Sequence, residues 1–239
     1  MRMDMKNLKL IQVWMIMIAS LAGANAAETT KIKVACIGDS ITFGHGIPDR
    51  GNNSYPAQLG KILGSGWDVA NFGVSGHTLL KKGDHPYVNS GQYQAALAFL
   101  PNVVIIKLGT NDTKPHNWRH KKDYIDDYVR LINSFLQLES KPVVWICHPV
   151  PVFPERWGIK DSIVREEILP CIQYIAQTAD VPIIDLYTPL KSHPEFFPDK
   201  VHPNAAGATE MATIIAALLS EYRDHAPPLP ETAAGPSTN

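Results

Sequence analysis

Five short runs with apolar cores recur along the chain and constrain its fold most strongly. They are Lys31–Ile37, Trp67–Phe72, Asn102–Leu108, Pro142–Cys147 and Pro182–Leu186. Their central residues do not alternate between apolar and polar types. That pattern is typical of strands covered on both faces, as in a parallel sheet.

Segments with helical periodicity separate these runs. The predicted helices are Tyr55–Leu63 with Ser54 as its cap, Gln92–Phe99, Asp123–Leu138, Asp161–Thr178 with Pro170 expected to kink or divide it, and a last helix from near Pro203 to about Tyr222. Regular alternation of strand and helix predicts an α/β fold with a parallel sheet and right-handed crossovers. In such a fold the ligand site lies beyond the carboxyl ends of the strands.

The first 26 residues have the pattern of a secretory signal. Arg2, Lys6 and Lys9 are basic, Leu10–Leu21 is apolar, and Ala24-Asn25-Ala26 offers a small-x-small cleavage site. About 20 apolar residues are needed to span a bilayer, so this run is short for a retained anchor, which is the alternative. We therefore predict a signal peptide over 1–26, export to the periplasm or the exterior, one domain over 27–225 without a membrane span, and a disordered tail over 226–239.

Composition excludes several classes of protein. Lys and Arg number 22 against 23 Asp and Glu, so the chain lacks the basic excess of a nucleic-acid-binding protein. The three cysteines, Cys36, Cys147 and Cys171, form no C-x-x-C pair and are predicted to be buried free thiols. His116 and His120 stand four residues apart, a spacing that could hold a metal on a helix, although a solvated segment is the other interpretation.

Two loops after predicted strands carry candidate catalytic groups. Gly38-Asp39-Ser40 places Ser40 at a strand-to-helix turn, where its hydroxyl is either a nucleophile or a helix N-cap. Gly109-Thr110-Asn111-Asp112 follows the most apolar strand. The Asn111 amide suits an oxyanion hole and is equally compatible with an Asx turn.

Near the carboxyl terminus, Asp199 stands three residues before His202. A carboxylate at that spacing can hold an imidazole in one tautomer and stabilise its protonated form. Asp185 as the acid and His193 as the base remain alternatives. Ser75 lacks the spacing of a G-x-S-x-G nucleophile.

Together with Asn71–Gly76, these segments resemble the four blocks of the SGNH (GDSL-type) hydrolase family, in the family's order. The resemblance implies a three-layer α/β/α sandwich, flavodoxin-like, with a five-stranded parallel sheet of order 2-1-3-4-5. It implies that Ser40 is the nucleophile, His202 the general base and then acid, and Asp199 its orienter. It also implies an oxyanion hole formed by the Ser40 N–H, the Gly76 N–H and the Asn111 side chain, with no metal and no organic cofactor.

Within the family, the chain is most similar to secreted bacterial carbohydrate O-acetylesterases, including sialate and xylan acetylesterase-like members. An acetylated carbohydrate is therefore the expected substrate. Trp118, Phe153 and Trp157 are candidates for stacking on a sugar or covering an acyl chain, and packing of their loops is the alternative. Two other functions remain open: a lysophospholipase or thioesterase acting on longer acyl chains, and a non-catalytic glycan-binding module.

Overall fold

A computed structural model describes residues 31–225 of the 239-residue chain. The predicted signal peptide over 1–26 and the predicted tail over 226–239 lie outside these residues. Within them, no helix is both long and apolar enough to cross a membrane.

Within residues 31–225, five strands form one parallel sheet. They are β1 (Ile32–Gly38), β2 (Trp67–Gly73), β3 (Val103–Lys107), β4 (Val143–Cys147) and β5 (Ile183–Ile184). Their spatial order is β2-β1-β3-β4-β5, and every neighbouring pair is parallel. The strand order implied by the family resemblance is confirmed.

Helices connect the strands. The α-helices are α1 (Ser40–Phe43), α2 (Arg50–Asn53), α3 (Tyr55–Leu63), α4 (Gly91–Ala98), α5 (Pro115–Trp118), α6 (Tyr124–Leu136), α7 (Asp161–Ile163), α8 (Leu169–Ala179), α9 (Tyr187–Leu190) and α10 (Ala205–His225). Short 3₁₀ turns lie at Tyr87–Asn89, Asn111–Thr113, Lys121–Asp123 and Pro194–Phe196, and a π-helix covers Val164–Ile168.

Successive residues of β1 belong to two different hydrophobic clusters. Ala35 and Ile37 pack in the cluster that receives buried residues of α4, α6 and α8. Val34 and Cys36 pack in the cluster that receives buried residues of α3 and α10. The sheet is therefore covered on both faces, which explains why the centres of its strands are largely apolar and confirms the three-layer architecture.

Two predicted helices can be compared directly with the observed ones. The last helix begins at Ala205, just after the predicted start near Pro203, because the Asn204 side chain caps it by accepting a hydrogen bond from Gly207 N at 3.0 Å. The predicted helix over 161–178 is divided into α7, the π-helix and α8, in agreement with the predicted break at Pro170. Pro170 lacks an N–H and crowds the preceding turn, so the regular helical ladder is interrupted just before it.

The strands end at one level beside the predicted site. Gly38, the last residue of β1, pairs with Gly73 of β2 and with Lys107 of β3. The loops that follow these three strands therefore start side by side at the carboxyl edge of the sheet. Cys36 and Cys147 are buried free thiols, and Cys171 is a half-buried one.

Candidate active site

The loop after β1 fixes the position of Ser40. Asp39 is the N-cap of α1, and its Oδ1 accepts a hydrogen bond from Ile41 N at 2.9 Å. The capping role that the sequence alone allowed for Ser40 thus belongs to its neighbour. Ser40 is the first residue of α1, where the backbone N–H has no partner within the helix and the hydroxyl is left for another group.

The end of β2 holds α1 in place. The Asn71 Oδ1 accepts a hydrogen bond from Gly73 N at 2.9 Å, and its Nδ2 donates one to Thr42 O at 2.8 Å. A Cβ on Gly73 would lie only 2.2 Å from Phe43 N, so a glycine is needed where α1 crosses the strand end.

Ser40, His202 and Asp199 form one chain of hydrogen bonds. The Ser40 Oγ lies 2.8 Å from His202 Nε2, and His202 Nδ1 lies 2.7 Å from Asp199 Oδ2. The Asp199 Oδ1 also accepts hydrogen bonds from the backbone N–H groups of His202 at 2.7 Å and Val201 at 3.0 Å. The short loop before α10 therefore fixes both the Asp199 carboxylate and the His202 imidazole ring, and it holds the ring through Nδ1.

Burial and hydrogen bonding shift the pKa values of this pair. Burial lowers the pKa of His202 below its ordinary value, although the hydrogen bond to Asp199 acts in the opposite direction. Burial acts to raise the pKa of Asp199, but the hydrogen bonds from the backbone and ring of His202 and from Val201 N outweigh it and leave the pKa lowered. Near neutral pH the arrangement favours a neutral imidazole beside an ionised carboxylate.

A cleft of about 280 Å³ opens beside the serine. Ser40, His202 and the two other predicted oxyanion residues, Gly76 and Asn111, all line it. Gly76 has a φ of 80°, which a glycine adopts without strain. The Asn111 Nδ2 donates one hydrogen bond to His77 O at 3.1 Å, and its second hydrogen is available to a ligand.

Asp112 ties two of the site's loops together. Its buried carboxylate accepts hydrogen bonds from Leu79 N at 3.0 Å and Leu80 N at 2.8 Å. Burial raises the pKa of Asp112 to about 7. The segment after Gly76 is thereby attached to the 3₁₀ turn that carries Asn111.

The three predicted aromatic residues have different surroundings. Trp157 lines the cleft, is 54% exposed, and its ring centroid lies 5.8 Å from that of His202. The prediction that Trp118 contacts the substrate is wrong, because Trp118 does not line the cleft. It is buried in the core and packs edge-on against Tyr124. Phe153 packs against Phe197 at 5.3 Å between ring centroids and is likewise not part of the cleft lining.

A tight turn presents Trp157 to the cleft. Arg156 and Ile159 exchange backbone hydrogen bonds of 3.2 and 2.8 Å, with Trp157 and Gly158 between them. Both central residues have positive φ, 53° and 76°, as in a type I′ turn. Positive φ is unfavourable for tryptophan, so the surrounding contacts hold this side chain against a local backbone preference.

The alternative site residues have other partners. His148 Nδ1 lies 3.1 Å from Asp185 Oδ1, and His193 Nδ1 lies 2.8 Å from Glu195 Oε1, so neither alternative joins the chain that contains Ser40. His116 Nε2 lies 3.0 Å from Asp84 Oδ2. His120 lies beyond the end of α5 and its Nε2 accepts a hydrogen bond from Arg119 Nε.

Among residues 31–225, no three His, Cys, Asp or Glu side chains form a cluster that could hold a metal ion. Sequence reasoning missed four residues of the cleft lining, namely His45, Ser75, Lys114 and Ile159. It also missed Lys107, whose signal was visible as a lysine near the end of an otherwise apolar run.

Comparisons with known proteins agree with this architecture. A model of the GDSL-like lipase/acylhydrolase family matches residues 36–209. An acetylxylan esterase of Xylanibacter ruminicola is 42% identical over 212 residues, which are 81% of this chain and 44% of that protein. The chain thus spans less than half the length of this relative.

Two solved structures share the fold. The carbohydrate acetylesterase Est24 of Sinorhizobium meliloti has a TM-score of 0.64 at 22% identity, covering 80% of this chain and 99% of its own. The aryl esterase of M. smegmatis has a TM-score of 0.63 at 21% identity, covering 79% and 98%. Because the family model extends over most of the chain, from β1 into α10, the chain belongs to the GDSL-like lipase/acylhydrolase family, as its four sequence blocks predicted.

Proposed function

We propose that this chain is a secreted serine esterase that removes O-acetyl groups from a carbohydrate. The observation that carries the proposal is the hydrogen-bonded chain from Ser40 through His202 to Asp199, which opens on a cleft also lined by Asn111. A hydroxyl bonded to a neutral imidazole, with a carboxylate behind the imidazole, is the arrangement needed for nucleophilic acyl transfer.

The first step forms the acyl-enzyme. His202 Nε2 takes the Ser40 proton as Oγ bonds to the ester carbonyl carbon, and the carbonyl electron pair moves onto its oxygen. The Ser40 N–H, the Gly76 N–H and the Asn111 amide donate hydrogen bonds to that oxyanion, each lowering the barrier by ~3 kcal/mol. The tetrahedral intermediate collapses when His202 gives its proton to the leaving sugar oxygen and the carbon–oxygen bond breaks.

The second step releases acetate. Water enters the position left by the sugar, His202 takes one of its protons, and the remaining hydroxide bonds to the acyl carbon. Collapse of this intermediate breaks the bond to Ser40 Oγ, which regains its proton from His202. Asp199 holds Nδ1 through both steps and stabilises the imidazolium that forms in each.

The size and lining of the cleft support a small acyl group on a sugar. A volume of about 280 Å³ lies just below the range of roughly 300–1,000 Å³ that holds drug-sized ligands. The half-exposed Trp157 ring at the edge of the cleft presents an apolar face to solvent, which suits stacking against a sugar ring. The names of the Xylanibacter relative and of Est24, an acetylxylan esterase and a carbohydrate acetylesterase, support the same substrate class.

The amino-terminal sequence supports export. Basic residues, a short apolar run and the Ala24-Asn25-Ala26 site together favour removal of residues 1–26. Expression of the full chain in a bacterium, followed by cell fractionation and amino-terminal sequencing, tests this part. We expect a periplasmic or extracellular product that begins at Ala27, whereas an uncleaved membrane-bound product would contradict it.

An ester series tests the proposed reaction. Hydrolysis of p-nitrophenyl esters from acetyl to decanoyl is measured with Ser40→Ala as the blank, followed by acetate release from acetylated xylan. We expect kcat/KM to be highest for acetyl and to fall at least tenfold by octanoyl, because each methylene that a small acyl site cannot accept costs ~1–3 kcal/mol. A preference for octanoyl or longer esters would indicate a lipid or thioester substrate, and glycan binding without any hydrolysis would indicate a binding module.

A further inference from the structure

A lysine lies completely buried beneath the candidate active site. Lys107 is the last residue of β3, and its side chain has no exposed surface. Removing an ammonium group from water is so costly that a buried lysine requires charged or strongly polar partners. The mechanism derived above does not use this group.

The partners of Lys107 come from two different loops. Its Nζ lies 3.3 and 3.2 Å from the two carboxylate oxygens of Asp39, which is also fully buried. It donates a third hydrogen bond to Thr110 Oγ1 at 2.8 Å. These three acceptors match the three hydrogens of an ammonium group.

Each partner directly precedes a residue of the oxyanion hole. Asp39 precedes Ser40 and caps the helix that begins there. Thr110 precedes Asn111 and is the N-cap residue of the 3₁₀ turn that carries it. One ammonium group therefore connects the backbone beside the Ser40 N–H to the backbone beside the Asn111 amide.

The same contact also balances charge. An unpaired Asp39 carboxylate would stand one residue from the place where the oxyanion forms, and two negative charges repel strongly where water is excluded. The other buried acid near Lys107 is Asp112, which interacts with it at longer range. Burial lowers the pKa of Lys107, and the interactions with Asp39 act in the opposite direction and favour the charged form.

We propose that Lys107 is a positioning residue for acyl transfer: its ammonium group joins Asp39 to Thr110, sets the spacing of the Ser40 and Asn111 donors, and offsets the Asp39 charge beside the oxyanion. This role rests on the proposed esterase function. It predicts an effect on the transition state and little effect on the binding of the ground-state ester.

Lys107→Met tests the role, because methionine has a similar length and no charge. We expect kcat for p-nitrophenyl acetate to fall about 10²-fold with KM changing less than about threefold, as for loss of one oxyanion donor. Lys33→Met is the matched control. Lys33 lies at the opposite end of β1 and donates to Phe99 O at 3.1 Å, so its variant should keep the wild-type kcat. A folded Lys107→Met variant with kcat within threefold of wild type would overturn the proposal.

A double variant separates charge from simple packing. In Asp39→Asn/Lys107→Met both buried charges are gone, while asparagine can still cap α1. We expect its kcat to exceed that of Lys107→Met by about tenfold, because the uncompensated carboxylate has been removed. A double variant no more active than the single one would overturn the charge-balancing role.

If Lys107→Met does not fold, Thr110→Val tests the contact between Lys107 and Thr110 from the other side. Valine keeps the volume of threonine and removes the hydroxyl that Nζ contacts. We expect kcat to fall about three- to tenfold at constant KM, the cost of one hydrogen bond to a charged group, and Thr110→Ser to restore it. Unchanged kcat in folded Thr110→Val would contradict the proposed link.

The two proposals fail in different ways. If the wild-type protein and Lys33→Met hydrolyse no acetyl ester, the proposed function is wrong. If the wild type is active and folded Lys107→Met is equally active, only the role of Lys107 is wrong.

Discussion

The Nε2 atom of His202 lies 2.8 Å from Ser40 Oγ, although 162 positions separate the two residues in the sequence. Ser40 opens the helix after the central strand β1, and His202 lies in the loop before α10. Packing of α10 on the face of the sheet that also holds α3 brings that loop to the carboxyl edge. The catalytic contact is therefore a consequence of the three-layer fold.

Asp199→Asn tests the carboxylate of this chain. Asparagine Oδ1 can still accept the backbone hydrogen bonds of Val201 and His202, but an amide NH₂ would face Nδ1 and favour the wrong imidazole tautomer. We expect kcat to fall about 10²- to 10⁴-fold with the fold intact, as assayed with p-nitrophenyl acetate and circular dichroism.

Asp185→Asn is the matched control for that variant. Asp185 contacts His148 and two backbone N–H groups of α9, and it has no contact with His202 among the described interactions. We expect near wild-type kcat. The opposite pattern, an active Asp199→Asn and an inactive Asp185→Asn, would show that Asp185, just after β5, is the catalytic acid instead of Asp199.

The pH dependence of hydrolysis follows from His202. The imidazole acts as a base only when neutral, so kcat/KM should rise as pH rises through its pKa. Burial lowers that pKa, and Asp199 only partly offsets the effect. We expect the acid limb of the profile to have its midpoint below the ordinary histidine value of about 6.5. A midpoint well above that value would contradict the described environment of His202.

Asn111→Asp tests the oxyanion hole with almost no change in volume. The substitution replaces a donor by a carboxylate at the place where negative charge develops. We expect kcat to fall by more than the 10²- to 10³-fold typical of losing one donor, with a smaller change in KM. For Asn111→Ala we expect a fall in kcat within that typical range. If kcat of both variants stayed within threefold of wild type, Asn111 would not be part of the oxyanion hole.

Trp157→Ala tests sugar stacking at the edge of the cleft. Loss of one stacking contact worth ~0.5–1.5 kcal/mol should raise KM for acetylated xylan about two- to tenfold, while kcat for p-nitrophenyl acetate stays within about twofold. Trp157→Phe should keep most of the affinity.

Tyr174→Ala is a suitable control, because Tyr174 is 56% exposed on α8, close to the 54% of Trp157, and does not line the cleft. We expect this variant to keep the wild-type KM for xylan. Equal effects of the two substitutions would show that Trp157 has no specific contact with the sugar.

Much of the fold was predictable because its signals are local. The centre of a strand covered on both faces is apolar, so the runs around Val34, Val104 and Val144 identified β1, β3 and β4. In α6, the predicted sheet-facing residues are all buried: Tyr124, Tyr128, Leu131, Ile132 and Phe135. The family blocks supplied the strand order, which periodicity alone does not determine.

Other features depended on contacts between distant parts of the chain. Trp118 follows the Asn111 block in sequence, but packing against Tyr124 places it in the core. Lys107 could be recognised as unusual, yet its pairing with Asp39, 68 positions away, needed the register of β1 against β3. The position of Trp157 depends on a positive φ that tryptophan rarely adopts, so residue preferences could not indicate it.

The most direct test of the account is the kcat/KM of Ser40→Ala for p-nitrophenyl acetate, measured beside the wild type and with the fold of the variant checked by circular dichroism. We expect hydrolysis to fall by at least about 10³-fold, because the group that forms the acyl-enzyme is gone. Activity of the folded variant within tenfold of the wild type would contradict the assignment of Ser40 as the nucleophile.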